Sequence, residues 1–169
     1  MLFRSSSDVV APLYVRNAGG DAVAVKLSDT NKIEGNYGMN LSYQLGSSGY
    51  AGVEKALDKA DYSGYNSLRM WIKPDGSGND LTFQLKTGLG RYWESHYIMT
   101  KGDTTGKYIT IPFSDFKQPT WDVYAASMDL NAMAAFAIYI GGSDHNANSV
   151  YLDNIQVRSE ERRVGKECM

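Results

Sequence analysis

The chain has 169 residues, 43% of them hydrophobic and 21% charged, which suits one soluble globular domain and is too short for two. A formal charge of −2, with no stripe of Lys or Arg inside the folding part, argues against nucleic acid, because phosphate binding needs clustered cations. No apolar stretch approaches a membrane span, and Cys168 has no second cysteine to pair with. Aromatic usage is skewed to 12 Tyr and 3 Trp against 5 Phe. Rings with a polar tip suit half-wet surfaces, although Tyr is also at home in any β-sheet.

The opening Met1-Leu2-Phe3-Arg4-Ser5 lacks the apolar run of a signal peptide. Residues 1–20 are read as a shortened first strand and loop, with a helical turn expected over Ser7–Tyr14. From about Ala22 to Val157 alternation with a period of two dominates, interrupted by Gly, Asn, Asp and Ser clusters. The predicted strands are Ala22–Leu27, Gly38–Leu45, Ala51–Leu57, Ser67–Lys73 and Leu81–Thr87. They continue as Tyr92–Met99, Tyr108–Pro112, Ala135–Ile140 and Val150–Val157. Further helical turns are expected at Ser114–Phe116 and Met128–Ala132. About nine short strands at near-regular spacing predict an all-β fold: a two-sheet antiparallel β-sandwich (jelly roll) with short helical turns.

Strand parity then sorts the side chains. Leu81, Phe83 and Leu85 share an apolar face, leaving Thr82, Gln84 and Lys86 on the other; Phe136, Ile138 and Ile140 likewise leave Tyr139 outward. Along Tyr92–Met99 the parity of Trp93, Tyr97 and Met99 reads as buried, and that of Tyr92, Glu94 and His96 as solvent-facing. Trp71 falls on a non-core parity, on a strand whose sheet the sequence leaves open. The outward faces thus mix rings with amides, carboxylates and cations, the parts a sugar requires: a ring for its C–H face and planar or charged groups for its hydroxyls.

Enzyme signals are missing. Glu94 stands without a second carboxylate on its strand, His96 and His145 lie in unrelated contexts, and no Ser sits in a Gly-x-Ser-x-Gly turn. Gly88-Leu89-Gly90 is a hairpin turn, since no helix follows it to cradle phosphate.

Several motifs in order, Ser48-Gly49-Tyr50-Ala51-Gly52-Val53, Leu68-Arg69-Met70-Trp71-Ile72-Lys73-Pro74-Asp75-Gly76, Tyr92-Trp93-Glu94, Ile111-Pro112-Phe113-Ser114-Asp115-Phe116 and Val150-Tyr151-Leu152-Asp153-Asn154-Ile155, resemble the family-11 type of carbohydrate-binding modules attached to bacterial mannanases and β-glucanases. The resemblance runs from about Asp21 to Val157. It implies a jelly roll whose concave face binds β-linked glucan, glucomannan or mannan, with Tyr50 and Tyr139 matching cleft tyrosines of the family and Trp121 as the preferred stacking platform. Gln84, Lys86, Tyr92, Glu94 and His96 join the expected carbohydrate site on strand parity. The resemblance also implies a structural Ca²⁺ held by the last-strand carboxylate, here Asp153. The family's other acidic ligands lie in an Asp-Asp-Phe-Glu-like start, where this chain has Met1-Leu2-Phe3-Arg4, so weak or absent calcium is expected.

The resulting expectation is a non-catalytic, monomeric, secreted module, covalently adjoining a glycoside hydrolase and lacking its signal peptide in this chain. Its partner would be β-linked oligo- and polysaccharide rather than nucleic acid or membrane. The alternatives are a protein-interaction or assembly domain on the same fold and a small jelly-roll glycanase. The domain is read as residues 1–157. Residues 158–169 change abruptly to charge-dense sequence, and Arg158 to Cys168 match the conceptual translation of a common sequencing adapter, so they are read as a non-native tail.

Overall fold

The computed structural model describes the backbone of Leu13–Asn17 and, in full, residues 21–47 and 49–159. Among them ten strands run in chain order: β1 (Leu13–Asn17), β2 (Ala22–Ser28), β3 (Gly38–Gln44), β4 (Ala51–Ala60), β5 (Ser67–Lys73), β6 (Asp80–Thr87), β7 (Tyr92–Ile98), β8 (Lys107–Pro112), β9 (Met133–Gly141) and β10 (Asn148–Arg158). They form two five-stranded sheets, β1-β4-β9-β6-β7 and β2-β3-β10-β5-β8, and every pairing is antiparallel. This is the expected sandwich.

The alternation produces the core directly. Leu81, Phe83, Leu85, Phe136, Ile138 and Ile140 turn inward from the first sheet and meet Leu41, Leu68, Met70, Ile72, Val150 and Leu152 from the second. Each such side chain contributes about 1.5–3 kcal/mol by leaving water, and together they fix which face of each sheet stays outside. Two of the three register shifts among the described strands carry residues of positive φ. Asp58 and Lys59 take positive φ of 46° and 58° where β4 slips against β9, and Asn154 takes 51° where β10 slips against β5.

Three helical expectations meet different outcomes. Ser7 to Pro12 lie outside the described residues, while Leu13 and Tyr14 begin β1 and are extended, not helical. The expected turn at Ser114–Phe116 is a 3₁₀ turn over Phe113–Asp115, one residue earlier, whose buried Phe113 and Phe116 close one end of the core. Met128–Ala132 holds no helix. The Asp129 carboxylate accepts the Asn131 N–H at 3.0 Å, and this local bond favours a turn over a helix. At the other terminus β10 continues through Arg158, which pairs with Ser67, and residues 160–169 lie outside the described residues.

Candidate functional site

In an antiparallel ladder directly opposed residues share a face, so the register of β4, β9, β6 and β7 lays three rows across the outer face of the first sheet. One row is Gly52, Tyr139, Thr82, His96; the next is Glu54, Ala137, Gln84, Glu94; the third is Ala56, Ala135, Lys86, Tyr92. Rings stand at two ends of this surface. Tyr50 and Tyr139 meet edge to face at 5.4 Å and 89°, and Tyr92 and Trp121 meet at 4.8 Å and 57°. Between them lies a groove of about 610 Å³, floored by small and polar side chains.

Gly52 makes the first ring pair possible. A Cβ there would lie 2.3 Å from the Ile138 carbonyl oxygen and 2.7 Å from Tyr139 Cδ1, so only glycine lets the Tyr139 ring lie across β4. In the middle row Gln84 Nε2 donates to Glu94 Oε1 at 2.7 Å, which fixes both planar groups; Lys86 Nζ sits 5.2 Å from the Tyr92 ring centroid. Trp121 belongs to no strand. Its loop is tied to β7 where the Lys117 and Glu94 backbones exchange bonds of 2.7 and 2.8 Å, and where Asp122 accepts the Tyr92 N–H at 3.1 Å and Arg91 Nη1 at 3.0 Å. Tyr50 is 47% and Trp121 56% exposed, so both offer ring surface to solvent.

The fold therefore brings Tyr50, Gln84, Lys86, Tyr92, Glu94, Trp121 and Tyr139 to one groove. His96 shares their face but stands past the groove's edge, where Nδ1 lies 2.6 Å from Asp80 Oδ2 and 3.2 Å from Thr82 Oγ1. Two lining residues were not among those expected at the site: Glu54, and Thr82, which parity places on the outward face. Glu54 sits in the charged run Glu-Lys-Ala-Leu-Asp-Lys, which reads as ordinary solvated strand; the period-two series Tyr50, Gly52, Glu54 was the available signal. Trp93 packs against the core, and Trp71 belongs to β5 of the other sheet.

Asp153 lies far from this face, on β10. Its Oδ2 accepts the N–H groups of Ile33 at 2.7 Å and Glu34 at 2.9 Å, and its Oδ1 accepts that of Asn154 at 2.7 Å. A hard cation wants six to eight oxygens, yet among the described residues no group of three or more His, Cys, Asp or Glu gathers anywhere. The Asp153 surroundings that are described do not fit a carboxylate-rich calcium site; the Met1–Arg4 start lies outside the described residues.

The groove is not arranged for hydrolysis. Its two carboxylates, Glu54 and Glu94, rise from strands β4 and β7 at opposite edges of the row, and Glu94 is engaged by the Gln84 amide and not paired with a second carboxyl as hydrolytic acid–base work needs. A hollow of about 700 Å³ on the second sheet is larger, but several of its polar groups are engaged within the protein. There Tyr43 donates to Asp75 at 2.6 Å, Lys73 to Asn31 at 2.7 Å and Ser149 to Ser42 at 3.2 Å. The groove of the first sheet is the candidate site.

The profile of the carbohydrate binding domain (family 11) matches residues 10–159. The chain belongs to this family. A family 11 domain is a binding module and not a catalytic one, in agreement with the spread carboxylates. The fold is that of the family 11 module from Clostridium thermocellum solved in complex with a β-1,3-1,4-mixed-linked tetrasaccharide, with a TM-score of 0.70 and 23% identity over 90% of this chain and 92% of that one. The family 30 module of a cellulosomal cellulase from the same organism shares it too, with a TM-score of 0.62 and 16% identity over 90% and 95% of the two chains. Among curated proteins the chain is 35% identical to a mannan endo-1,4-β-mannosidase of Bifidobacterium adolescentis over 88 residues, 52% of this chain and 8% of the relative. It is 29% identical to endoglucanase H of Acetivibrio thermocellus over 132 residues, 71% of this chain and 14% of the relative. This family 11 domain thus spans only a small fraction of the enzymes it matches.

Proposed function

We propose that the domain binds a β-linked glucan, glucomannan or mannan chain along the groove of the first sheet, and so holds an adjoining glycoside hydrolase against its polysaccharide. One observation carries the reading: two ring pairs, Tyr50 with Tyr139 and Tyr92 with Trp121, stand at opposite ends of a floor bearing Glu54, Gln84, Glu94 and Lys86. Rings take the C–H faces of successive pyranoses, adding about 0.5–1.5 kcal/mol each beyond area burial. Carboxylates, an amide and an ammonium take the equatorial hydroxyls. Ordering a flexible glycan consumes much of that gain, so affinity is modest and the benefit to a tethered enzyme is raised local concentration. The mannosidase and endoglucanase relatives support the glycoside hydrolase context. Plant polysaccharide is met outside the cell, which makes this an extracellular module, and one groove per chain needs no oligomer. Electrophoresis through gels containing mixed-linkage β-glucan, glucomannan or xylan tests the reading. Retardation by either of the first two is expected; unchanged mobility in all three overturns it.

The same reading includes no requirement for calcium, supported by the three N–H groups that Asp153 accepts, those of Ile33 and Glu34 in the loop between β2 and β3 and that of Asn154 on β10 itself. Chelation is expected to leave the melting temperature unchanged, and a large rise on adding calcium would contradict this.

A further inference from the structure

The loop from Gln118 to Ala132 carries Trp121 without a single strand, yet its ring must be held in place to act as a platform. The side chains that follow Trp121 are exposed, Val123 by 79% and Tyr124 by 65%. Asp122 is the exception, with a side chain only 3% exposed. Its Oδ1 accepts Arg91 Nη1 at 3.0 Å and its Oδ2 accepts the Tyr92 N–H at 3.1 Å, while the Gln118 amide and the Tyr124 N–H are near enough to favour its charged form. Burial opposes its ionisation, but these donors outweigh that and hold the carboxyl below the usual range. The Arg91 guanidinium, fixed by the same carboxylate, covers the Tyr124 ring at 4.3 Å.

We propose that Asp122 is the positioning residue of the Trp121 platform, a buried carboxylate that ties both members of the Tyr92–Trp121 ring pair to the start of β7. Tyr92 receives its bond through the backbone and Trp121 is the residue next to the carboxylate, so one side chain sets the distance and tilt between the two rings. Without it, Arg91 and the Tyr92 N–H lose their acceptor and the loop must be ordered by the ligand, a cost that falls on affinity. The inference rests on the carbohydrate reading above.

The test is calorimetric titration of a β-1,3-1,4-linked tetrasaccharide into the wild-type domain, W121A, D122A, D122N and the W121A/D122A double variant, with melting temperatures measured alongside. Trp121→Ala is expected to weaken binding about tenfold and Asp122→Ala by a similar factor. Asp122→Asn, which keeps an acceptor for the Tyr92 N–H but no charge for Arg91, is expected to fall between, and it carries the test if D122A does not fold. The double variant should bind no more weakly than the weaker single variant, since a ring already released has nothing further to lose. Wild-type affinity in D122A and D122N, wild-type affinity in W121A, or losses that multiply to about a hundredfold in the double variant would each overturn the proposal. Failure of the wild-type domain to bind the tetrasaccharide, together with unchanged mobility in every polysaccharide gel, would instead overturn the carbohydrate reading on which it rests.

Discussion

The outer faces of the two sheets carry similar side chains and do opposite things with them. The second sheet presents Arg69, Trp71, Lys73, Tyr108 and Tyr151, as good a set of rings and cations as the first sheet owns. There the groups close on each other. Trp71 is only 9% exposed, its ring against Gly106, where a Cβ would come within 2.3 Å of Cζ2. Arg69 lies on the Tyr108 ring at 3.8 Å, and Lys73 stands 5.8 Å from that of Tyr151. On the first sheet the two ring pairs stand apart with Glu54, Gln84, Glu94 and Lys86 between them, and the space between the pairs is the groove. What separates the two faces is the space left between the side chains, not the count of aromatics.

The two tryptophans break this comparison most directly. Trp71→Ala is expected to cost about 3 kcal/mol of stability through the cavity it leaves, read as a lower urea midpoint, with glycan binding kept by the fraction that folds. Trp121→Ala should leave that midpoint unchanged and remove about tenfold in affinity. Gly52→Ala joins the two effects, because its Cβ meets both the Ile138 backbone and the Tyr139 ring. About 1–3 kcal/mol of overpacking strain is expected, together with several-fold weaker binding as Tyr139 is displaced; a variant with wild-type affinity would show that Tyr139 need not lie across β4. Tyr151→Ala on the second sheet should leave calorimetric affinity unaltered, and any loss there would draw the larger hollow into recognition.

The smallest effect concerns the second sheet's own polar knot. Burial, and after it the bond to Asp75, push the Tyr43 phenol up to about 12. Because the folded value exceeds the unfolded one, near 10, the stabilisation is complete below pH 10 and is lost as pH rises toward 12. Tyr43→Phe should flatten that part of the stability profile; an equal alkaline decline in both proteins would remove Tyr43 from the account.

Strand parity made most of this legible because it is a local property. Gln84, Glu94 and Tyr139 face outward by counting from Phe83, Trp93 and Ile138, and the register then aligns them with no further information. Trp121 entered through the family resemblance, since nothing in its own neighbours fixes an orientation. Its placement depends on Asp122 reaching back 30 residues to Tyr92, a tertiary contact without periodicity. Glu54 was hidden because a carboxylate in a charged strand looks solvated until Ala137 is known to stand opposite it. For His96 parity was right and insufficient: the face is correct, but Asp80 holds the ring at the margin. β1 was read only as a shortened first strand somewhere in residues 1–20, with Leu13 and Tyr14 given to a helical turn, because five residues give alternation too little length to register.

The central claim is that the ligand lies across β4, β9, β6 and β7. Titrating the ¹⁵N-labelled domain with a β-1,3-1,4-linked tetrasaccharide and following each amide and indole resonance tests it most directly. The expected perturbations gather at Tyr50, Glu54, Gln84, Tyr92, Glu94, Trp121 and Tyr139. Perturbations gathered instead around Ser42, Lys73, Ser149 and Tyr151, with the first sheet silent, would contradict it.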